Sequence, residues 1–151
     1  MKVFLSYKSE EVEIAERVQE ALEARGHDVW RDKTRIKGGD IWMKMINDAL
    51  LDSQRVVVLF TNMSFQSRHV YMEFMYGLKN KSVVGLRTHK PCTLAPPYTQ
   101  APLMDIADWL RTGEDEQIEG LSRCLSLPDK DFASLRAGLQ SLHDLDNSNS
   151  I

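Results

Sequence analysis

Residues able to do chemistry gather in three stretches of this chain. They are Ser6-Tyr7-Lys8, the basic run from Arg31 to Lys37, and Ser67-Arg68-His69 with Glu73 just beyond. Glu73 is the carboxylate that a ligand crevice would meet. A carboxylate in such a place is a candidate for acid, base or electrostatic work. Ordinary alternatives stand beside that reading. Glu73 suits a solvated helix glutamate, His69 a hydrogen-bonded surface histidine, Trp42 a core residue and the basic loop a solvated turn.

Other chemistries are excluded by what the chain lacks. Gly38-Gly39 is not followed by Gly-Lys-Ser/Thr, so it is no phosphate-binding P-loop. No Gly-x-Gly-x-x-Gly follows the first apolar run, and no Cys or His pairs stand at zinc spacing, so no metal is expected. A phospho-accepting receiver domain needs acidic residues after its first and third strands. Here Ser6-Tyr7 and Thr61-Asn62 stand there.

The elements that must position these residues follow from hydrophobic periodicity. Val3-Phe4-Leu5 reads as a buried strand. Ser9, before Glu10 and Glu11, reads as a helix cap, and Ile14, Ala15, Val18, Ala21 and Leu22 recur at helical spacing. Gly26 suits the C′ position that ends this helix. His27 to Trp30 reads as a second strand. Asp40 can cap a second helix with an apolar face of Trp42, Met45, Ile46, Ala49 and Leu50. Val56 to Phe60 is apolar on both faces, as a central parallel strand is.

A third helix is predicted from about Ser67 to Leu78, with Val70, Phe74 and Leu78 in one stripe and Gly77 fraying its last turn. Ser82 to Leu86 is a fourth strand weakened by Gly85, and Leu103 to Ile106 a short fifth. Glu114 to Leu125 and Pro128 to His143 read as further helices. In the second, Pro128 suits N1 and Phe132, Leu135, Leu139 and Leu142 form the buried face. The alternation predicts an α/β fold: a flavodoxin-like three-layer sandwich around a five-stranded parallel sheet of order 2-1-3-4-5. Its crevice lies at the carboxyl ends of strands one and three, here Ser6 to Ser9 and Thr61 to Ser67.

Composition agrees with one such domain over residues 1–143, with 144–151 as a flexible polar tail or the start of a linker. Of 151 residues, 42% are hydrophobic and 27% charged, ordinary values for a globular chain. The net charge of −3 argues against a domain built to bind nucleic acid. No apolar run approaches a membrane span, and the N-terminus is too short and too soon charged for a signal peptide. Cys92 and Cys124 make no disulfide framework and read as reduced thiols of a cytoplasmic protein.

Several boxes resemble the TIR (Toll/interleukin-receptor) domain family. Phe4-Leu5-Ser6-Tyr7 resembles its first box, and Gly26-His27-Asp28-Val29-Trp30-Arg31-Asp32 its Gly-x-x-Val-Trp-x-Asp. Ile36 with Gly39-Asp40-Ile41-Trp42 resembles the loop after the second strand in bacterial members. Ser67-Arg68-His69-Val70-Tyr71-Met72-Glu73 resembles Ser-x-Trp-Cys-x-x-Glu. The likeness runs from Val3 to about Arg87. Two departures stand out: His69 and Val70 replace the usual Trp and Cys, and Lys8 or Ser9 replaces acidic residues.

Enzymes of this family cleave NAD+ at the nicotinamide–ribose bond, releasing nicotinamide and ADP-ribose or a cyclic isomer. The resemblance implies that Glu73 is catalytic and that NAD+ is a substrate, with no separate cofactor. It implies that Ser6, Tyr7 and Lys8 line the pocket, that Trp42 lies near the nicotinamide or ribose and that Arg35 meets a phosphate. Ser67 braces the helix start, and Asp32, Ile36 and His69 complete the substrate-binding set. It also implies self-association with other TIR domains and a setting in bacterial anti-phage signalling, where a separate effector answers a cyclic product. No direct nucleic-acid or membrane contact is expected. Two rivals remain: a non-catalytic TIR scaffold, and a nucleoside deoxyribosyltransferase-like enzyme, which shares the α/β plan and a glutamate.

Overall fold

The computed structural model describes residues 1–31, 40–61, 67–89, 93–141 and 145, without the side chains of residues 40–42. The elements run β1 (Lys2–Ser6), α1 (Val12–Glu23), β2 (Asp28–Trp30), α2 (Asp40–Asp52), β3 (Arg55–Phe60), α3 (Arg68–Lys79) and β4 (Val83–Arg87). Then come β5 (Pro102–Asp105), α4 (Ala107–Thr112), α5 (Glu116–Leu125), α6 (Asp129–Ala133) and β6 (Gly138–Leu139). All pairings are parallel, in the order β2-β1-β3-β4-β5-β6. The sheet therefore has the expected order with one extra edge strand.

The strand period of two sorts side chains into two cores. Val3, Leu5, Val57 and Leu59 face α1, α4 and α5, meeting Val18, Leu22, Trp109, Ile118 and Leu121. Phe4, Val56, Val58 and Phe60 face α2 and α3, meeting Ile46, Leu50, Val70 and Phe74. Every residue of β3 is buried, and each Val or Phe so placed contributes roughly 1.5–3 kcal/mol. Ser6 follows Phe4 by two residues, so its side chain points towards α3. The sheet order reverses between β1 and β3, which places a crevice at their carboxyl ends.

Helix ends depart from the sequence reading in one place and agree in another. Ser9 does not cap a helix: Ser9–Glu11 forms a 3-10 turn after Lys8, with no side-chain cap bond. Gly26 does close α1. Its φ is +89°, and the amides of Gly26 and His27 donate to the carbonyls of Glu23 and Leu22.

Two glycines read as weaknesses turn out to be packing requirements. Gly77 is buried within α3, and a Cβ there would lie 2.6 Å from Val83 Cβ. Gly85 sits in β4 under Phe60, whose ring leaves a Cβ no room. The helix stays intact to Lys79, and the strand is central.

The predicted helix from Pro128 to His143 is corrected. Among its described residues only Asp129–Ala133 is helical, and the chain then pairs with β5. The Gly138 amide donates to Ala101 O at 3.0 Å and the Gln140 amide to Leu103 O at 2.8 Å. This covers an open sheet edge whose polar groups need partners. Phe132 is buried, but Leu139 lies half exposed on the edge strand; Leu142 is outside the described residues. The helix α4 was not foreseen, and Met45, read as part of the core face of α2, is exposed.

Arg55 ties this C-terminal portion to β3. Its guanidinium donates to Asp129 Oδ1 and Leu127 O, both at 2.7 Å, and lies 4.4 Å from the Phe132 ring centroid. No helix among the described residues is long and apolar enough to cross a membrane.

Candidate functional site

Ser6 ends β1 and is fully buried. Glu73 stands in the second turn of α3 and is 3% exposed. The Ser6 hydroxyl donates to Glu73 Oε1 at 2.7 Å. Glu73 is therefore no solvated helix glutamate. A buried carboxylate is costly unless hydrogen-bonded, and Ser6 supplies one such bond.

The carboxylate stands in the wall of a cleft of about 770 Å³ between α2 and α3. This volume lies within the range of small-molecule pockets. One wall is Met43, Ile46, Asn47 and Leu50, a stripe on α2 at i, i+3, i+4 and i+7. The other is Arg68, His69, Met72, Glu73 and Tyr76 on α3. Among the described residues the lining is mostly apolar, and Glu73 is the carboxylate in it.

The first turn of α3 is built by Ser67, whose hydroxyl accepts from the Val70 amide at 3.4 Å. The same hydroxyl lies 3.0 Å from His69 Nδ1. His69 Nε2 is 3.1 Å from the backbone carbonyl of Tyr7. Tyr7 itself is buried towards the opposite core. Its hydroxyl accepts from Arg31 at 3.0 Å, and the Arg31 guanidinium also donates to Gln19 Oε1 at 2.9 Å. These bonds join the ends of β1 and β2 to the start of α3.

The predicted residues thus take different places. Glu73 and His69 stand in the cleft wall, and Ser6 supports Glu73 from the sheet. Ser67 caps the start of α3. Tyr7 and Lys8 are not in the cleft wall: Tyr7 packs into the α1-side core, and Lys8 lies half-buried where its carbonyl accepts from Glu11. The side-chain period explains this, because residue 7 points to the sheet face opposite residue 6. Asp32, Arg35 and Ile36 lie outside the described residues, and so does the Trp42 side chain.

Sequence reasoning placed Arg68 by the crevice but missed Met43, Asn47, Met72 and Tyr76 as cleft residues. A signal existed. Met43 and Asn47 extend the Ile46–Leu50 stripe, and Met72 and Tyr76 are one helical turn from residues 68 and 73. Among the described residues, no group of three or more His, Cys, Asp or Glu stands ready to hold a metal. Cys124 is buried, and burial pushes its thiol up to about 12, so it is an inert core residue.

A parallel doubly wound sheet whose order reverses between β1 and β3 defines the flavodoxin-like class of α/β domains. Within that class, the sequence model of the TIR domain matches residues 3–125. The match covers well over half of the chain, which belongs to the TIR domain family. No curated protein matches it. TIR domains include NAD-cleaving enzymes and assembly modules, and they commonly self-associate.

Proposed function

We propose that this TIR domain cleaves NAD+ at the nicotinamide–ribose bond, yielding nicotinamide and ADP-ribose or a cyclic isomer. The observation that carries the reading is the Ser6-held Glu73 carboxylate in the wall of the apolar α2–α3 cleft. Glycoside hydrolysis ordinarily needs two carboxyl groups, one to protonate a poor leaving group. Nicotinamide leaves as a neutral molecule from a cationic pyridinium, so no acid is required. What remains is to stabilise positive charge on the ribose, and a fixed, buried anion at that face does that. The apolar walls from Met43, Ile46, Leu50 and Met72 suit a planar ring. Bacterial anti-phage signalling, with a separate effector that reads a cyclic product, is the setting that fits this chemistry. NAD+ and other TIR domains are its partners.

The test is nicotinamide release from NAD+ by the full chain at high protein concentration, beside Glu73→Gln. The variant keeps the shape and an acceptor for the Ser6 hydroxyl but removes the charge. Release is expected to fall on the order of 100-fold or more, with melting temperature unchanged or higher. Full turnover in the variant defeats the reading. The alternative is a non-catalytic scaffold. The exposed Met43, Met45, Leu51, Tyr71 and Met72 on α2 and α3 favour it, because such side chains suit a docking face. Self-association without NAD+ consumption, and without a rise in melting temperature on adding NAD+, supports that alternative.

A further inference from the structure

The residue at position 69 makes contacts that its type explains. His69 lies in the first turn of α3, and its Nε2 is 3.1 Å from the Tyr7 carbonyl. The Ser67 hydroxyl lies 3.0 Å from Nδ1 and 3.2 Å from Nε2 of the same ring. That hydroxyl also accepts from the Val70 amide. The Tyr7 carbonyl can only accept, so Nε2 carries a hydrogen and donates to it. The Ser67 hydroxyl, which accepts from Val70, meets Nδ1 on the other side of the ring.

Tyr7 directly follows Ser6, and His69 precedes Glu73 by one helical turn. Two ties therefore cross from the end of β1 to α3 side by side. One is Ser6 to Glu73, and the other is His69 to the Tyr7 carbonyl. The second holds the helix turn against the peptide that carries the first. We infer that His69 is a positioning residue: its Nε2–Tyr7 bond keeps Glu73 within reach of Ser6 and aimed at the cleft. The inference rests on the NAD+-cleaving reading of that cleft. A ring that instead touched substrate would act through binding, since His69 also stands in the cleft wall.

The experiment compares the full chain with His69→Gln, His69→Ala, Ser6→Ala and the double variant Ser6→Ala/His69→Ala. Nicotinamide release is measured over a range of NAD+ concentrations. A misplacement of 1 Å costs on the order of 100-fold, so His69→Ala is expected to lower kcat by about tenfold or more, with KM within about twofold. His69→Gln, which keeps an N–H donor, is expected to recover most of that loss. In the Ser6→Ala background, removing His69 is expected to cost little more, because the tie it protects is already gone. A rise in KM alone, or losses that multiply in the double variant, overturns the inference.

Nitrogen-15 spectra of the imidazole supply a readout without turnover. A hydrogen fixed on Nε2 in the resting protein supports the inference, and a bare or rapidly exchanging Nε2 overturns it. If the wild-type chain releases no nicotinamide, the functional reading fails and the spectrum still decides the clamp. If His69→Ala does not fold, the Gln variant and the spectrum carry the test.

Discussion

Gly77→Ala tests how packing in the helix–sheet interface reaches the carboxylate. Gly77 follows Glu73 by one helical turn and lies against the sheet. A Cβ built there meets Val83 Cβ at 2.6 Å and Val56 Cβ at 3.1 Å. Ordinary contact begins near 3.4 Å, so helix and strand must separate by about 0.8 Å. Both obstructing atoms are Cβ atoms, fixed to the backbone of β3 and β4, so no flexible side chain can yield in their place. Overpacking of this kind costs about 1–3 kcal/mol, and the better helix propensity of Ala returns about 1 kcal/mol.

The net loss of stability is therefore modest, about 0–2 kcal/mol. Activity is expected to suffer more. An outward shift of α3 carries Glu73 away from Ser6, and their 2.7 Å bond lengthens beyond hydrogen-bond range. A displacement near 1 Å corresponds to a loss of up to about 100-fold. The assay pairs urea unfolding with nicotinamide release. A variant with wild-type kcat, at whatever stability, refutes the coupling of this contact to the carboxylate. A variant destabilised by more than about 4 kcal/mol refutes the magnitude, since it exceeds the overpacking range.

Two further outcomes follow from buried titratable groups. Burial lowers the pKa of His27, whose Nε2 lies 2.9 Å from Ser122 Oγ between β2 and α5. Its folded value lies below the ordinary 6.5, so the unfolded chain takes up the proton first. This contribution to stability is whole above about pH 6.5 and declines as pH falls through the lower folded value. Urea midpoints measured from pH 7.5 to 5 check it, and His27→Gln is expected to flatten that slope. The Cys124 thiol, at about 12, is expected to resist a maleimide at pH 8 in the native protein and to react after unfolding. Prompt native labelling at that position contradicts its burial.

The order of the sheet was legible because its strands and helices carry clean periods. Val56 to Phe60 is apolar on both faces, and Val70, Phe74 and Leu78 lie at helical spacing. The last part of the chain was less legible. Phe132, Leu135, Leu139 and Leu142 mimic a helical stripe, yet Gly138 and Leu139 pair with β5. Local pattern cannot register an open edge created by a distant strand. The two misjudged glycines share that cause. Gly77 and Gly85 weaken an isolated helix and strand, but Val83 and Phe60 occupy the space where side chains would go.

For the site, the sequence alone gathered Glu73, Ser6, Ser67 and His69, together with Tyr7, Lys8 and Arg68, around one crevice. It could not say how they touch. The alternation along β1 sends Ser6 to α3 and Tyr7 to the other core, so neighbours in sequence received different tasks. The cleft likewise belongs to neither helix by itself. Met43 and Asn47 of α2 come to line one cleft with Met72 and Tyr76 of α3 only after both helices dock on one face of β3. Spacing within a helix sets which residues share a stripe. Which stripe faces another, and what carboxylate stands between them, depends on long-range packing that no short stretch of sequence contains.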